Sequence, residues 1–323
     1  MGPTKNYAAK ELVAKGEELI DQCQPEVAIR FFEKALLLEP NNTKILDTIS
    51  ELATEIHDSE RALQACENSI KIAPADNPTK WLNAAQMVYG EKAQEYTEQG
   101  IHFLKQELEA INSNIDDVFT TKKQICAAYC ALGELYMTDL CDSEDAERKC
   151  EEAFKSALQY DVGLPEPTQA LANLRLTQQR TQEAIGWLEK TYRRIMELQD
   201  DNLMPDSVFR IVTGKLLIEV DMYEQACDIM EDVVNEDDED AEVWFLLATC
   251  HQKLGECEEA LDCFNKCRTL LKKLKRQSKH EFHLQEQLDD VEKKLTLLKK
   301  TAEKQANELE LVIEADSDQE MND

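Results

Sequence analysis

A spacing of 34 residues constrains this chain more than any other feature. In residues 9–42, AKELVAKGEELIDQCQPEVAIRFFEKALLLEPNN, small residues fall at Gly16, Ala28 and Ala35, Phe32 lies between the last two, and Pro40 closes the unit. A shift of 34 carries Ala28 onto Ala62, Ala35 onto Ser69 and Pro40 onto Pro74. The order has a physical cause. Small residues let two antiparallel helices approach closely, and a large apolar residue one turn on fills the groove beside them. The proline then ends the second helix, because it lacks an N–H and clashes with the preceding turn.

This is the tetratricopeptide pattern, a helix–turn–helix of about 34 residues. It recurs downstream. Trp81, Ala84 and Ala85 open a third unit, whose second helix around Gly100 and Leu104 comes late. Tyr129, Leu132, Gly133 and Tyr136 open a fourth, with Cys150, Phe154 and Ala157 on its second helix after a longer connection. Leu171, Ala172, Ala184 and Leu188 mark a fifth; Gly214, Leu217, Ala226 and Met230 a sixth; Trp244, Leu247, Ala248, Ala260, Phe264 and Cys267 a seventh. The expected fold is all-α: a superhelical solenoid of about seven helix pairs over 9–267, with a C-terminal capping helix. Residues 268–312 read as one long helix or a helix pair, with Leu270, Leu271, Leu274, Leu284, Leu288, Val291, Leu295 and Leu298 as its apolar stripe. Capping the last repeat is the expected role, since a terminal repeat otherwise exposes an apolar face. The stripe is too short and irregular for a coiled-coil seam, so a monomer is expected. Residues 1–8 should be flexible. The acidic tail 313–323, IEADSDQEMND, has little to bury and should be disordered.

Charge narrows the partners. The 323 residues carry 66 acids and 36 bases, a formal balance of −30, and that field repels nucleic acid and anionic membrane surfaces. A basic protein partner is the natural counterpart, with plain solubility as the alternative. The acids are unevenly spread. Arg268 to Lys304 holds eleven bases and six acids, leaving 25 bases against 60 acids elsewhere. No apolar run reaches a membrane span, and MGPTKNYAAKEL carries neither a signal-peptide core nor the Ser or Thr that myristoylation wants at Asn6. Eleven cysteines without an export signal read as free thiols in the cytosol or nucleus.

In a tetratricopeptide array the first helix of each unit lines the concave groove. The repeat frame sends Glu17, Asp21, Asp47, Glu51, Glu55, Glu134, Glu166, Glu219 and Glu242 towards that face, against Lys10, Lys44, Lys215 and Lys253. A wall of one sign focuses the field on an oppositely charged segment. Val13, Leu82, Tyr89, Ile211 and Phe245 are placed to grip the aliphatic stems of Lys and Arg. The densest acidic run, Glu236 to Asp240, falls in the turn between the sixth and seventh units and reads as an exposed loop. Asp240 or Glu239 suits the start of the next helix, where acids complement its dipole.

No constellation points to catalysis, cofactor or metal. Cys126 with Cys130, and Cys263 with Cys267, are four apart, but a zinc site wants four ligands at closer set spacings, and Cys150 and Cys267 occupy small-residue repeat positions. The histidines form no ligand or triad motif, and no glycine-rich phosphate loop is present. The basic run KKLKR at 272–276 reads as a solvated helix face or a nuclear-import signal. One tetratricopeptide class clamps acidic chaperone tails with Lys and Asn. The matching positions here are Val13, Glu17, Thr48, Thr79 and Asn83, and Glu17 would repel a carboxylate.

Two segments, CDSEDAERKCEEAFKSAL at 141–158 and PEPTQALANLRLTQQRTQEAIGWLEK at 165–190, resemble the dedicated assembly chaperones of ribosomal protein L-four of the large subunit. The resemblance covers most of the chain, though its distinctive part is these two segments. It implies a non-enzymatic protein, cytoplasmic and nuclear, that holds the long basic internal loop of its ribosomal client until the loop meets ribosomal RNA. A general scaffold, or a chaperone of another basic protein such as a histone, remains open on the electrostatics alone.

Overall fold

The computed structural model describes residues 8–111, 114–200, 203–277 and 282–300. The expectations for residues 1–7, for 301–312 and for the acidic tail lie outside them. Every regular element among the described residues is a helix. Fourteen run in order: α1 (Ala9–Asp21), α2 (Pro25–Leu38), α3 (Thr43–Glu55), α4 (Ser59–Ile72), α5 (Thr79–Ala85), α6 (Gly90–Ala110), α7 (Ile115–Met137), α8 (Ala146–Gln159), α9 (Glu166–Thr177), α10 (Thr181–Glu197), α11 (Ser207–Glu219), α12 (Tyr223–Glu236), α13 (Ala241–Leu254) and α14 (Cys257–Gln277). A further helix, α15, is described over 285–300. α1 with α2, α3 with α4, α5 with α6, α7 with α8, α11 with α12 and α13 with α14 pack as tetratricopeptide pairs. The chain divides into two compact units, Met1–Leu174 and Arg175–Asp323.

In the first unit the small-against-large rule operates as drawn from the spacing. A Cβ at Gly16 of α1 would stand 2.6 Å from the Phe32 ring of α2, and one at Gly133 of α7 would overlap the Phe154 ring of α8. Glycine at each position therefore sets how closely its helices approach. Phe32 and Phe154 are buried, each contributing on the order of 1.5–3 kcal/mol of apolar burial. Asn42, Asp58 and Asn114 accept backbone N–H groups at the starts of α3, α4 and α7. The third and fourth units depart most from the regular frame. α5 is only 7 residues long, while α6 has 21 and α7 has 23. α7 thus starts 14 residues before Tyr129, where the repeat signature first becomes readable.

The turns repeat too. Cys23 and His57, 34 apart, sit between the helices of the first two pairs with φ of 55° and 59°. In the second unit Gln179 follows α9, and Asp221 and Gly255 lie between the helices of their own pairs, at 58°, 61° and 84°. This left-handed residue closes the helix end, and glycine is the type that takes it most readily. Only Gly255 is one.

The second unit ends in a helix pair rather than one long helix. α14 continues the seventh repeat to Gln277, and α15 buries Leu288, Val291, Leu295 and Leu298. Lys272 pairs with Glu292 at 2.7 Å and Lys275 donates to Gln285 at 2.6 Å, joining α14 to α15. Lys294 of α15 lies 5.8 Å from the Phe245 ring centroid and 5.9 Å from that of Phe264. α15 therefore covers the seventh pair.

Candidate binding face

The first helices of the first unit carry a repeated acidic pattern. Glu17 and Asp21 of α1 recur 34 residues on as Glu51 and Glu55 of α3. All four are exposed, and none has an ion-pair partner among the described residues. Each helix thus carries like charges four apart, which costs a few tenths of a kcal/mol. Asp21 and Glu55 are also the last residues of their helices, where the dipole disfavours an anion. Burial, and then the neighbouring Asp47 carboxylate, push the Glu51 carboxyl above the usual carboxylate range. These acids are held at some cost to the fold. Between α1 and α3 lies a cleft of ≈ 560 Å³ walled by Lys10, Val13, Glu17, Ile20, Lys44 and Thr48.

A second cluster lies further along the same unit. Glu134 of α7 walls a cavity of ≈ 340 Å³ with Leu82, Ala85 and Gln86 of the α5 region and Ala127, Ala131 and Leu135 of α7. Gln124 of α7 donates to the Thr79 hydroxyl of α5 at 3.3 Å, holding that side together. Desolvation raises the Glu134 carboxyl above its ordinary range. Glu166, the first residue of α9, is half-buried near the same place. The Cys126 thiol and burial push the neighbouring Cys130 thiol well up, and the Glu134 and Glu166 carboxylates add to it.

Several expected residues are occupied elsewhere. Asp47 accepts from the Ser69 hydroxyl at 2.6 Å and from the Asn77 amide at 2.8 Å, so it braces α3 against α4 and the turn beyond. Close by, Lys80 is 1% exposed and donates to the Ser69 and Ala73 carbonyls at 3.2 and 2.5 Å, capping α4. Burial depresses its ammonium pKa despite the nearby carboxylates. Tyr89 is off the first-helix face, since α5 ends at Ala85 and Tyr89 sits 84% exposed in the turn before α6. In the second unit Glu242 pairs with Lys215 at 2.7 Å, and Phe245 packs edge-on to Phe264 beneath Lys294. Ile211 is half-buried on α11. Glu219 closes α11, exposed and without an ion-pair partner among the described residues, and Lys253 is exposed on α13.

The densest acidic run is the most engaged. Glu236 pairs with Arg210, itself 3% exposed. Asp237 accepts the Glu239 N–H at 2.9 Å, and Asp240 accepts the Glu242 N–H at 2.7 Å, capping α13. Asp238 pairs with Lys266 at 2.5 Å and Glu239 with Lys273 at 2.6 Å, both lysines on α14. Cations of α11 and α14 thus answer this run inside the chain. No group of three His, Cys, Asp or Glu among the described residues could hold a metal, and no described helix is long and apolar enough to cross a membrane.

The tetratricopeptide repeat family model matches residues 241–270, the seventh pair. A probable assembly chaperone of rpl4 from Schizosaccharomyces pombe is 30% identical over 257 residues, covering 77% of this chain and 75% of the relative. The chain belongs to the family of rpl4 assembly chaperones. A second member, from Emericella nidulans, is 28% identical over 79% of this chain and 67% of its own length. The solved structure of the assembly chaperone of RpL4 (Acl4) matches with a TM-score of 0.68 at 27% identity, over 78% of this chain and 98% of that one. Family membership accords with the two resembling segments, which fall on α8 and on α9–α10. The 34-residue spacing announces neither the bracing role of Asp47 nor the Ala127 and Ala131 wall of the α5–α7 cavity. Alanine on an exposed helix face carries no signal unless the opposing helix is known.

Proposed function

We propose that this protein is a dedicated chaperone of ribosomal protein L-four. It binds a basic extension or loop of the newly made client through the acidic first-helix faces, keeps it soluble and delivers it to pre-ribosomes. The observation that carries the reading is the set of exposed acids, Glu17, Asp21, Glu51 and Glu55, without a cation among the described residues, whereas every acid of the run from Glu236 to Asp240 has a cation or a backbone N–H. A family whose members are named for rpl4 supports the choice of client.

The mechanism is electrostatic and needs no chemical step, cofactor or metal. Carboxylates with no cation among the described residues give a basic segment the counter-charge it will later find in RNA phosphates. Apolar groups among them, such as Val13 and Leu82, receive the stems of Lys and Arg. Because these acids are open to water, each contact is individually weak and salt-screened, so denser RNA phosphates displace the chaperone. The protein acts as a monomer, passes between cytoplasm and nucleus with its client, and contacts neither nucleic acid nor membrane itself.

The test is co-purification from cell lysate at low and moderate salt, read by mass spectrometry and followed by reconstitution with purified ribosomal protein L-four. A one-to-one complex that dissociates as salt rises is expected. A set of mostly neutral, salt-insensitive partners, with no binding of the purified ribosomal protein, would overturn the reading in favour of a scaffold.

A further inference from the structure

The α5–α7 cavity has features that the exposed acids of α1 and α3 lack. Its floor and walls are mostly apolar: Leu82, Ala85, Ala127, Ala128, Ala131 and Leu135. At ≈ 340 Å³ it reaches the lower end of the range for ligand pockets, roughly 300–1,000 Å³. Two of its polar groups are already satisfied. The Thr97 hydroxyl donates to the Ala93 carbonyl at 2.8 Å, and the Thr138 hydroxyl to that of Glu134 at 2.9 Å. The Glu134 carboxylate and the Gln86 amide remain, and neither has an intrachain partner among the described residues.

The room comes from small side chains. Ala127 and Ala131 are exposed at i and i+4 on α7, and Glu134 follows on the same face, in a chain that is 32% charged. A neutral apolar guest would strip water from Glu134 without replacing it, at a cost of several kcal/mol. An acidic guest would be worse. A cation on an aliphatic stem satisfies both halves of the cavity.

We infer that this cavity is an anchor site for one lysine or arginine of an extended segment, together with the apolar residue beside it. Glu134 receives the charged head, Gln86 offers its amide oxygen, and the Leu82–Ala131 walls take the stem and the apolar neighbour. This rests on the reading that the client is basic. It adds a sequence preference to what would otherwise be general attraction: the exposed acids of α1 and α3 accept any cation, while the cavity selects a basic residue next to an apolar one.

The test follows the alanine and leucine methyl resonances of the full chain while titrating the peptide Ac-Gly-Lys-Leu-Gly-amide and its norleucine analogue, which keeps the stem and lacks the charge. The Ala127, Ala131 and Leu82 methyls should shift with the lysine peptide and remain in place with the analogue. Glu134→Gln should weaken the lysine peptide about tenfold, the effect of losing one partly desolvated ion pair. Ala131→Trp should block it by filling the cavity. Unmoved cavity methyls, equal binding of the analogue, or a Glu134→Gln chain that binds as well as the parent would each overturn the inference. Purified ribosomal protein L-four is measured in parallel. If it binds while the peptide does not, the anchor fails and the client reading stands; if the peptide binds through Glu134 and the ribosomal protein does not, the reverse holds.

Discussion

Two acidic regions of this molecule teach opposite lessons about charge. The run from Glu236 to Asp240 holds five consecutive acids, yet Arg210, Lys266 and Lys273 pair with three of them, and backbone N–H groups take the other two. Glu17, Asp21, Glu51 and Glu55 are spaced along α1 and α3 and have no intrachain cation among the described residues. The dense run stabilises the fold. The sparse set strains it slightly, through like charges four apart and acids at helix C-termini. Available charge is set by what the fold leaves uncompensated, not by how many acids stand together.

The strongest way to break this comparison is to reverse charge on each side and compare client affinity. Glu51→Lys with Glu55→Lys should weaken the complex with ribosomal protein L-four by about 100-fold at low salt. Asp237→Lys with Glu239→Lys changes the same formal charge and should shift affinity less than about threefold. Isothermal titration at two salt concentrations measures both. Equal losses would mean that net charge alone attracts the client and that position on α3 is irrelevant.

The next largest effect lies in stability. Arg210→Met leaves Glu236 without its buried partner and should cost about 2 kcal/mol in urea unfolding. That is below the 3–5 kcal/mol typical of a fully buried pair, because the Glu236 side chain is 56% exposed. Neutralising one acid in each region should then give opposite signs. Asp240→Ala removes the cap of α13 and should destabilise by about 1 kcal/mol. Glu55→Gln removes an anion from the C-terminus of α3 and should stabilise by about 0.3 kcal/mol. A shared sign in the same urea assay would dissolve the distinction.

The comparison also explains what could be read from the chain in advance. Helix pairs were legible because close packing requires a small residue opposite a large one at fixed spacing, as in Gly16 with Phe32 and Gly133 with Phe154. The exposure of the acids at 17, 21, 51 and 55 was legible for the same reason, since positions 34 apart take the same place on successive first helices. Partners distant in sequence were not. Asp47 looks like its neighbours until Asn77, 30 residues on, is brought against it. The acidic run looks free until lysines 28 and 34 residues away fold back onto it. Tyr89 was misplaced because α5 stops at Ala85, an early end that no proline or glycine marks before Gly90. The left-handed turns were hidden because four of the five residues named carry side chains.

The smallest expected effect concerns Glu134, whose exposed carboxylate has no partner among the described residues and is held above its ordinary range by desolvation. A carboxyl with a raised folded-state pKa favours folding while it is protonated. That contribution is complete below the unfolded-state value of about 4.3 and is lost as pH rises through the higher folded value. At pH 7 the ionised Glu134 is therefore a net cost, the reverse of the salt-bridged Asp238, whose carboxyl Lys266 holds below its usual range. Glu134→Gln should raise Tm at pH 7 by only about 0.3 °C, because the group is open to solvent, and the gain should vanish by pH 4. Asp238→Asn should not raise Tm at pH 7. Calorimetry of the two variants at both pH values separates them. If Glu134→Gln lowered Tm at pH 7, the carboxylate would have an intrachain partner after all, and its cost to the fold could no longer be read as the mark of a site kept for a basic guest.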